Sequence, residues 1–354
     1  MSRFFSGKYR DLVPYTPGEQ PKGQQLIKLN TNESPFPPAD DVAEAVKEEA
    51  AKLNLYNDPE CTALRECVAA RYNVSPDEVI MTNGSDEVLN FAFMAFCDDE
   101  HPAVFPDITY GFYPVFAKIN RVPYKVIPLK EDWTIAREDY AGEHGMIVIA
   151  NPNAPTGLAL SLDEIEKLLM EHSDDLIVVD EAYVDFGAES AVRLVREYNN
   201  LLVTRTFSKS RSLAGLRLGF GIAQKEIIRD LKTMQYSTNP YNVDRLAQAA
   251  GIASLMTDDV NLARVQTVCE TREWTRAELE KLGFEMTDSR ANFLFARHAQ
   301  FPGSLLRDGL RERGILIRWF DQERIRDWSR ITIGKRENME TMVNTIARML
   351  EEKK

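Results

Sequence analysis

Short, nearly continuous aliphatic runs recur through the middle of this sequence, and they limit the fold more than any other feature. They are VIMT (79–82), PYKVIPL, MIVIA (146–150), LIVVD (176–180), LLVTRT (201–206) and LGFGIA (218–223). A strand with one wet face alternates apolar and polar residues, whereas a strand covered on both faces does not. Runs of this kind therefore predict a mostly parallel sheet buried between helices. Segments with helical spacing of apolar residues are Asp41–Leu53, Cys61–Tyr72, Ser85–Phe96, 161–171 and 225–235. Strand alternating with helix predicts a doubly wound α/β sheet.

A different pattern follows. A long helical stretch covers roughly 242–282. After it come NFLFAR (292–297), a helix near 303–312, ILIRW (315–319), RITIG (330–334) and a terminal helix to about 351. This set predicts a smaller α+β domain. The N-terminal residues include the Pro- and Gly-rich VPYTPGEQPKGQQ, which reads as an extended arm. The expected organisation is an arm over 1–30, a large domain over 31–250 and a small C-terminal domain over 251–354. A chain of 354 residues has room for two lobes around one site.

The charge balance narrows the function. A formal net charge of −12 argues against nucleic acid or an anionic membrane as partner. The four cysteines show no CxxC spacing, and they read as free thiols of a reducing compartment. The four histidines form no HExxH-like cluster, so no metal site is expected. No run approaches the roughly 20 apolar residues of a membrane span, and the N-terminus has no signal-like apolar run, so the expected location is the cytoplasm.

In an open α/β sheet, ligands bind beyond the carboxyl ends of the strands. LIVV is followed by Asp180, Glu181, Ala182 and Tyr183, and LLVTR by Thr206, Phe207, Ser208 and Lys209. Arg217 lies eight residues further on. VIMT leads into Asn83, Gly84, Ser85 and Asp86 at the start of a helix, and MIVIA into Asn151-Pro-Asn-Ala-Pro-Thr-Gly157. Singly, each group has an ordinary structural reading, such as a solvated lysine or a helix cap. The GFG at 219–221 lacks the third glycine of a dinucleotide loop. Together the groups meet the needs of pyridoxal phosphate. That cofactor requires a lysine to form an imine with its aldehyde and a carboxylate on its ring nitrogen. It also requires helix N–H groups, hydroxyls and a cation for its phosphate. An aromatic ring often covers one face, and Tyr110 is the candidate.

These residues resemble the fold-type I aminotransferases. KLNTNESPFPP (28–38), TNGSDEV (82–88), YGFY (110–113), NPNAPTG (151–157), VVDEAYVDF (178–186), TFSKSRSLAGLRLGF (206–220) and RITIG (330–334) occur in the order expected of the histidinol-phosphate aminotransferase family. The resemblance implies that Lys209 carries the cofactor, that Asp180 partners the ring nitrogen, and that Tyr183 bonds the 3-hydroxyl. It implies phosphate ligands at Thr206, Ser208 and Arg217, with Gly84, Ser85 and Asp86 at the helix start. It implies a homodimer in which Tyr56 reaches the partner's cofactor. Arg330 and Arg318 would grip the substrate's anionic group, while Tyr15 and Asn32 complete the substrate site.

The sequence departs from the family at Ala154, where an asparagine usually contacts the 3-hydroxyl; Asn153 is the favoured replacement, with Asn151 or Tyr183 acting alone as the alternatives. It also has Asn57 where proline often follows the tyrosine. The implied reaction moves an amino group from histidinol phosphate to 2-oxoglutarate, with Lys209 as the base at the substrate's Cα. The alternatives are an aromatic-amino-acid aminotransferase and, with loss of CO₂, a threonine-phosphate decarboxylase.

Overall fold

The computed structural model describes residues 2–21 and 26–353. Residues 22–25 of the expected arm lie outside the described residues. In chain order the elements begin with β1 (Ile27–Leu29), α1 (Asp40–Ala50), α2 (Thr62–Tyr72), β2 (Val79–Thr82) and α3 (Ser85–Phe96). They continue with β3 (Ala103–Pro106), α4 (Tyr113–Asn120), β4 (Tyr124–Ile127), β5 (Met146–Ala150), α5 (Leu162–Glu171) and β6 (Leu176–Asp180). Next come β7 (Leu201–Thr206), β8 (Gly219–Ala223), α6 (Lys225–Thr238), α7 (Arg245–Met256) and α8 (Asp258–Lys281). The chain ends with β9 (Glu285–Met286), β10 (Phe293–Arg297), α9 (Gly303–Glu312), β11 (Ile315–Trp319), β12 (Trp328–Thr332) and α10 (Arg336–Glu351).

A seven-stranded sheet has the order β2-β8-β7-β6-β5-β3-β4. Its pairs are parallel from β7 to β4, and β8 runs antiparallel to both β7 and β2. The aliphatic runs are covered on both sides. Ile147, Ile177, Val179 and Val203 face one core, with Leu64 of α2 and Ile165 of α5. Val148, Val178 and Leu202 face another, with Phe91 of α3 and Phe116 of α4. Removing a side chain as enclosed as Leu64 from water contributes about 1.5–3 kcal/mol.

The second sheet has the order β1-β11-β12-β10-β9. β1 pairs in parallel with β11, so the last residues of the expected arm are an edge strand of this sheet. The expected long helix over 242–282 is two helices that meet at Thr257. Ala247, Ala250 and Leu255 of α7 pack into the core of the large sheet, whereas Val268 and Leu279 of α8 pack with the second sheet. The change of core therefore falls at the α7–α8 junction, a few residues beyond 250. Among the strands and α-helices, β1, β3, β9 and α4 were not legible in the sequence: the three strands are two to four residues long and α4 is only two turns.

Two glycines of the GFG run explain it. A Cβ on Gly219 would lie 2.3 Å from the backbone nitrogen of Ser85, and one on Gly221 would lie 2.9 Å from Val88 Cγ1. β8 is glycine-rich because α3 lies directly on it, which fixes the start of α3 beside the end of β7.

Candidate active site

Because β8 is antiparallel to its neighbours, it begins at the edge where β2, β5, β6 and β7 end. Residues after those four strands, and Arg217 just before β8, converge on one cavity of about 290 Å³. Its lining includes Tyr15, Ser85, Asp86, Tyr110, Asp180, Tyr183, Thr206, Ser208, Lys209, Arg217, Arg318 and Arg330.

At the end of β6, Asp180 is buried at 4% exposure. Its Oδ2 accepts from the Tyr113 hydroxyl at 2.9 Å, and its Oδ1 accepts from Thr204 Oγ1 and the Ala182 amide, each at 3.2 Å. Burial pushes the carboxyl up to about 6, although the hydrogen bonds from Tyr113, Thr204 and Ala182 act in the other direction. No cationic side chain among the described residues pairs with it. A buried carboxylate held by donors but lacking a cation fits the protonated nitrogen of a pyridine ring.

At the opposite corner, Gly84 (φ +76°) turns the chain into α3. Arg217 Nη2 meets Asp86 Oδ2 at 3.1 Å, and Tyr110 donates its hydroxyl to Asp86 Oδ1 at 2.7 Å. Thr206 Oγ1 donates to Ser208 Oγ at 2.9 Å. A helix N-terminus, two hydroxyls and a guanidinium form an anion-binding corner. The ring and phosphate ends of pyridoxal phosphate thus each meet suitable groups of this chain.

Lys209 lines the same cavity. Its Nζ donates to the Thr31 carbonyl at 3.3 Å and lies 5.7 Å from the centre of the Tyr183 ring. The Tyr183 hydroxyl accepts from Asn32 Nδ2 at 3.0 Å. Asn32 is fully buried and outside the cavity lining, so it acts on the site through Tyr183.

Arg318 on β11 and Arg330 on β12 are register partners. Each guanidinium carbon lies over the ring of Phe320, at 5.4 and 5.5 Å. Neither has a carboxylate partner among the described residues. Arg330 Nη2 donates to the Asn30 carbonyl at 3.1 Å, and its buried Nε has no partner. Burial lowers the Arg330 pKa, and the Arg318 charge adds to that effect. Arg318 donates to the Thr16 and Pro17 carbonyls of the arm at 2.9 and 3.3 Å. Tyr15, on the same arm, has its ring 4.4 Å from that of Phe112 and covers Gly111.

Asn153 is not where it was expected. Ala154 and Pro152 line the cavity, whereas the Asn153 amide donates to the Ile108 carbonyl and Thr156 Oγ1, each at 3.0 Å. Asn151 is also engaged elsewhere, in a pair of bonds with the Leu160 backbone. Tyr56 is 80% exposed, stacks on Tyr241 at 4.7 Å and lies outside the lining of this chain's own cavity. Sequence reasoning missed Tyr113, Thr204, Asn30 and Thr31. Tyr113 stood in the YGFY motif, but only α4 reveals that it points at Asp180.

The profile of the family "Aminotransferase class I and II" matches residues 24–346. The chain is 48% identical over 348 residues to a protein named histidinol-phosphate aminotransferase from Acinetobacter baumannii, covering 97% of this chain and 96% of the relative. It is 44% identical over 351 residues to one of the same name from Clostridium botulinum, covering 99% of each. In three dimensions it resembles the Sinorhizobium meliloti histidinol-phosphate aminotransferase solved in complex with pyridoxal-5'-phosphate. The TM-score is 0.87 and the identity 21%, covering 94% of this chain and 93% of that one. No helix among the described residues is long and apolar enough to cross a membrane. With its sheet order, its convergent strand ends and these matches over nearly the whole length, the chain belongs to the class I and II aminotransferases.

Proposed function

We propose that this protein is a cytoplasmic pyridoxal-phosphate-dependent transaminase that takes histidinol phosphate as amino donor and 2-oxoglutarate as acceptor. The name shared by the two close relatives supports this substrate. The observation that carries it is the pair Arg318 and Arg330, opposed across β11 and β12 without carboxylate partners among the described residues. Two adjacent guanidinium groups with spare donors suit a phosphate on one substrate and a carboxylate on the other.

Bound here, pyridoxal phosphate supplies an aldehyde that links to an amine and a cationic ring that draws electron density from the substrate's Cα. The residues of the chain do the rest. Lys209 would carry the cofactor, and once released its Nζ would take the proton from the substrate's Cα and deliver it two atoms away, across the linking nitrogen. Asp180 holds the proton on the ring nitrogen. Tyr183, supported by Asn32, donates at the 3-hydroxyl edge, where Ala154 offers nothing. The backbone amides of Ser85 and Asp86, with Thr206, Ser208 and Arg217, hold the phosphate, and Tyr110 bounds the ring. Tyr15 and the arm held by Arg318 exclude water from the substrate. The exposed Tyr56, which does not line its own chain's cavity, acts across a homodimer on the partner's cofactor.

The test is turnover by the cofactor-loaded protein. Histidinol phosphate should be preferred over phenylalanine by on the order of a hundredfold or more in kcat/KM. Equal or greater turnover of phenylalanine, or release of CO₂ from threonine phosphate, would contradict the assignment.

A further inference from the structure

Three successive residues leave the edge strand β1 and each reaches a different member of the site. The Asn30 carbonyl accepts from Arg330, the Thr31 carbonyl accepts from Lys209, and the Asn32 amide side chain donates to Tyr183. The middle contact is long, at 3.3 Å, so its direction matters. Two features fix that direction. The peptide that carries the Thr31 carbonyl also carries the Asn32 N–H, which donates to Thr332 Oγ1 at 2.9 Å on the opposite side. The Thr31 side chain is held as well: its hydroxyl accepts from Lys28 Nζ at 2.8 Å and donates to Glu33 Oε2 at 2.9 Å. Lys28 and Glu33 close the ring as an ion pair. Thr31 and Glu33 line the cavity, yet neither is needed to hold cofactor or substrate in the mechanism above.

We propose that Lys28, Thr31 and Glu33 form a positioning triad that aims the Thr31 carbonyl at the Lys209 amine, holding it whenever it is released to carry a proton. The inference rests on the reading of Lys209 as that base. The balance is simple. The amine gains one proton from the substrate's Cα, and the resulting ammonium donates a hydrogen bond to the Thr31 oxygen. The electron pair of the broken C–H bond stays with the substrate, and the ammonium then gives up the same proton two atoms away, across the linking nitrogen. No oxidant or co-reactant enters. Without the triad the amine swings freely and spends less time in line with the proton.

The experiment uses the cofactor-loaded protein with Thr31→Val, Thr31→Ser, Lys28→Met and Glu33→Gln. Thr31→Val removes only the hydroxyl and Thr31→Ser restores it. Thr31→Val, Lys28→Met and Glu33→Gln should each slow the first half-reaction about tenfold, the effect of one lost hydrogen bond. The donor KM should stay within about twofold and the isotope effect from a Cα-deuterated donor should rise, both because proton transfer alone is impaired. Thr31→Ser should behave as wild type. In the cofactor-free protein, exchange of the Asn32 amide hydrogen should quicken in Thr31→Val and in Lys209→Ala, because each releases one side of the same peptide. A change in KM with an unchanged isotope effect, no recovery in Thr31→Ser, or unaltered amide exchange would overturn the proposal. If wild type forms no Lys209-linked cofactor, the functional reading fails first. If wild type transaminates and the variants match it, only the triad fails.

Discussion

Tyr113 donates its hydroxyl to the Asp180 carboxylate at 2.9 Å, and both side chains are buried. The bond joins α4 to the end of β6 and holds one carboxylate oxygen in place before any ligand arrives. Burial and the Asp180 charge together push the Tyr113 phenol well above its ordinary pKa, so it remains a donor at any physiological pH. Removing the hydroxyl should leave Asp180 less well oriented. Tyr113→Phe is expected to bind pyridoxal phosphate about tenfold more weakly while the protein stays folded, as measured by titration of the cofactor absorbance.

Asp180 itself gives a pH-dependent prediction. Its folded pKa, about 6, lies above the ordinary 3.8 because of burial. Between those values the folded, cofactor-free protein binds more protons at this site than the unfolded chain does. Stability therefore falls as pH rises from about 4 to about 6, and the loss persists above that range. Asp180→Asn removes the penalty. The cofactor-free variant should be more stable than wild type at neutral pH by up to about 3 kcal/mol, with the gap closing below pH about 4. Denaturant melts at several pH values read this directly. The same variant should lose most of its transaminase activity, since nothing then holds the ring proton.

Arg330 and Arg318 should separate in kinetics. Arg330 is half-buried with a buried, idle Nε, whereas Arg318 is already bonded to the arm. Arg330→Gln is expected to raise KM for histidinol phosphate and for 2-oxoglutarate alike, by on the order of a hundredfold. Arg318→Gln should raise them less and should also make the arm more susceptible to proteolysis near Thr16. Equal effects on KM with no change in the arm would show that Arg318 binds substrate alone.

Much of this site was legible in the sequence, and the limits are physical. The lysine, the aspartate and the phosphate corner follow short buried strands, and a strand end fixes where its next few residues go. Asn153 was misplaced because its direction after β5 is set by hydrogen bonds to Thr156 in the same loop and to Ile108 beyond β3, which no periodicity reveals. Tyr113 and Thr31 act across long sequence separations, through a two-turn helix and a three-residue edge strand. Such short elements carry almost no pattern of their own. The break at Thr257 went unseen because α7 and α8 are both helical and only their cores differ.

Tyr56 offers a test of assembly. Tyr56→Phe should weaken cofactor binding even though the residue lies outside its own chain's cavity. Mixing Tyr56→Phe with Lys209→Ala chains should give hybrid dimers with one site that has both Lys209 and a partner's intact tyrosine. Cofactor affinity at that site should return to the wild-type value in the mixture, whereas a monomeric enzyme would show no recovery.

All of this chemistry requires the cofactor to sit on Lys209. Borohydride reduction of the protein loaded with pyridoxal phosphate, followed by peptide mass mapping, reads the attachment point. One phosphopyridoxyl group per chain is expected on Lys209, abolished in Lys209→Ala. Attachment at another lysine, with the nearby Lys28 as the clearest rival, or no attachment at all, would contradict it.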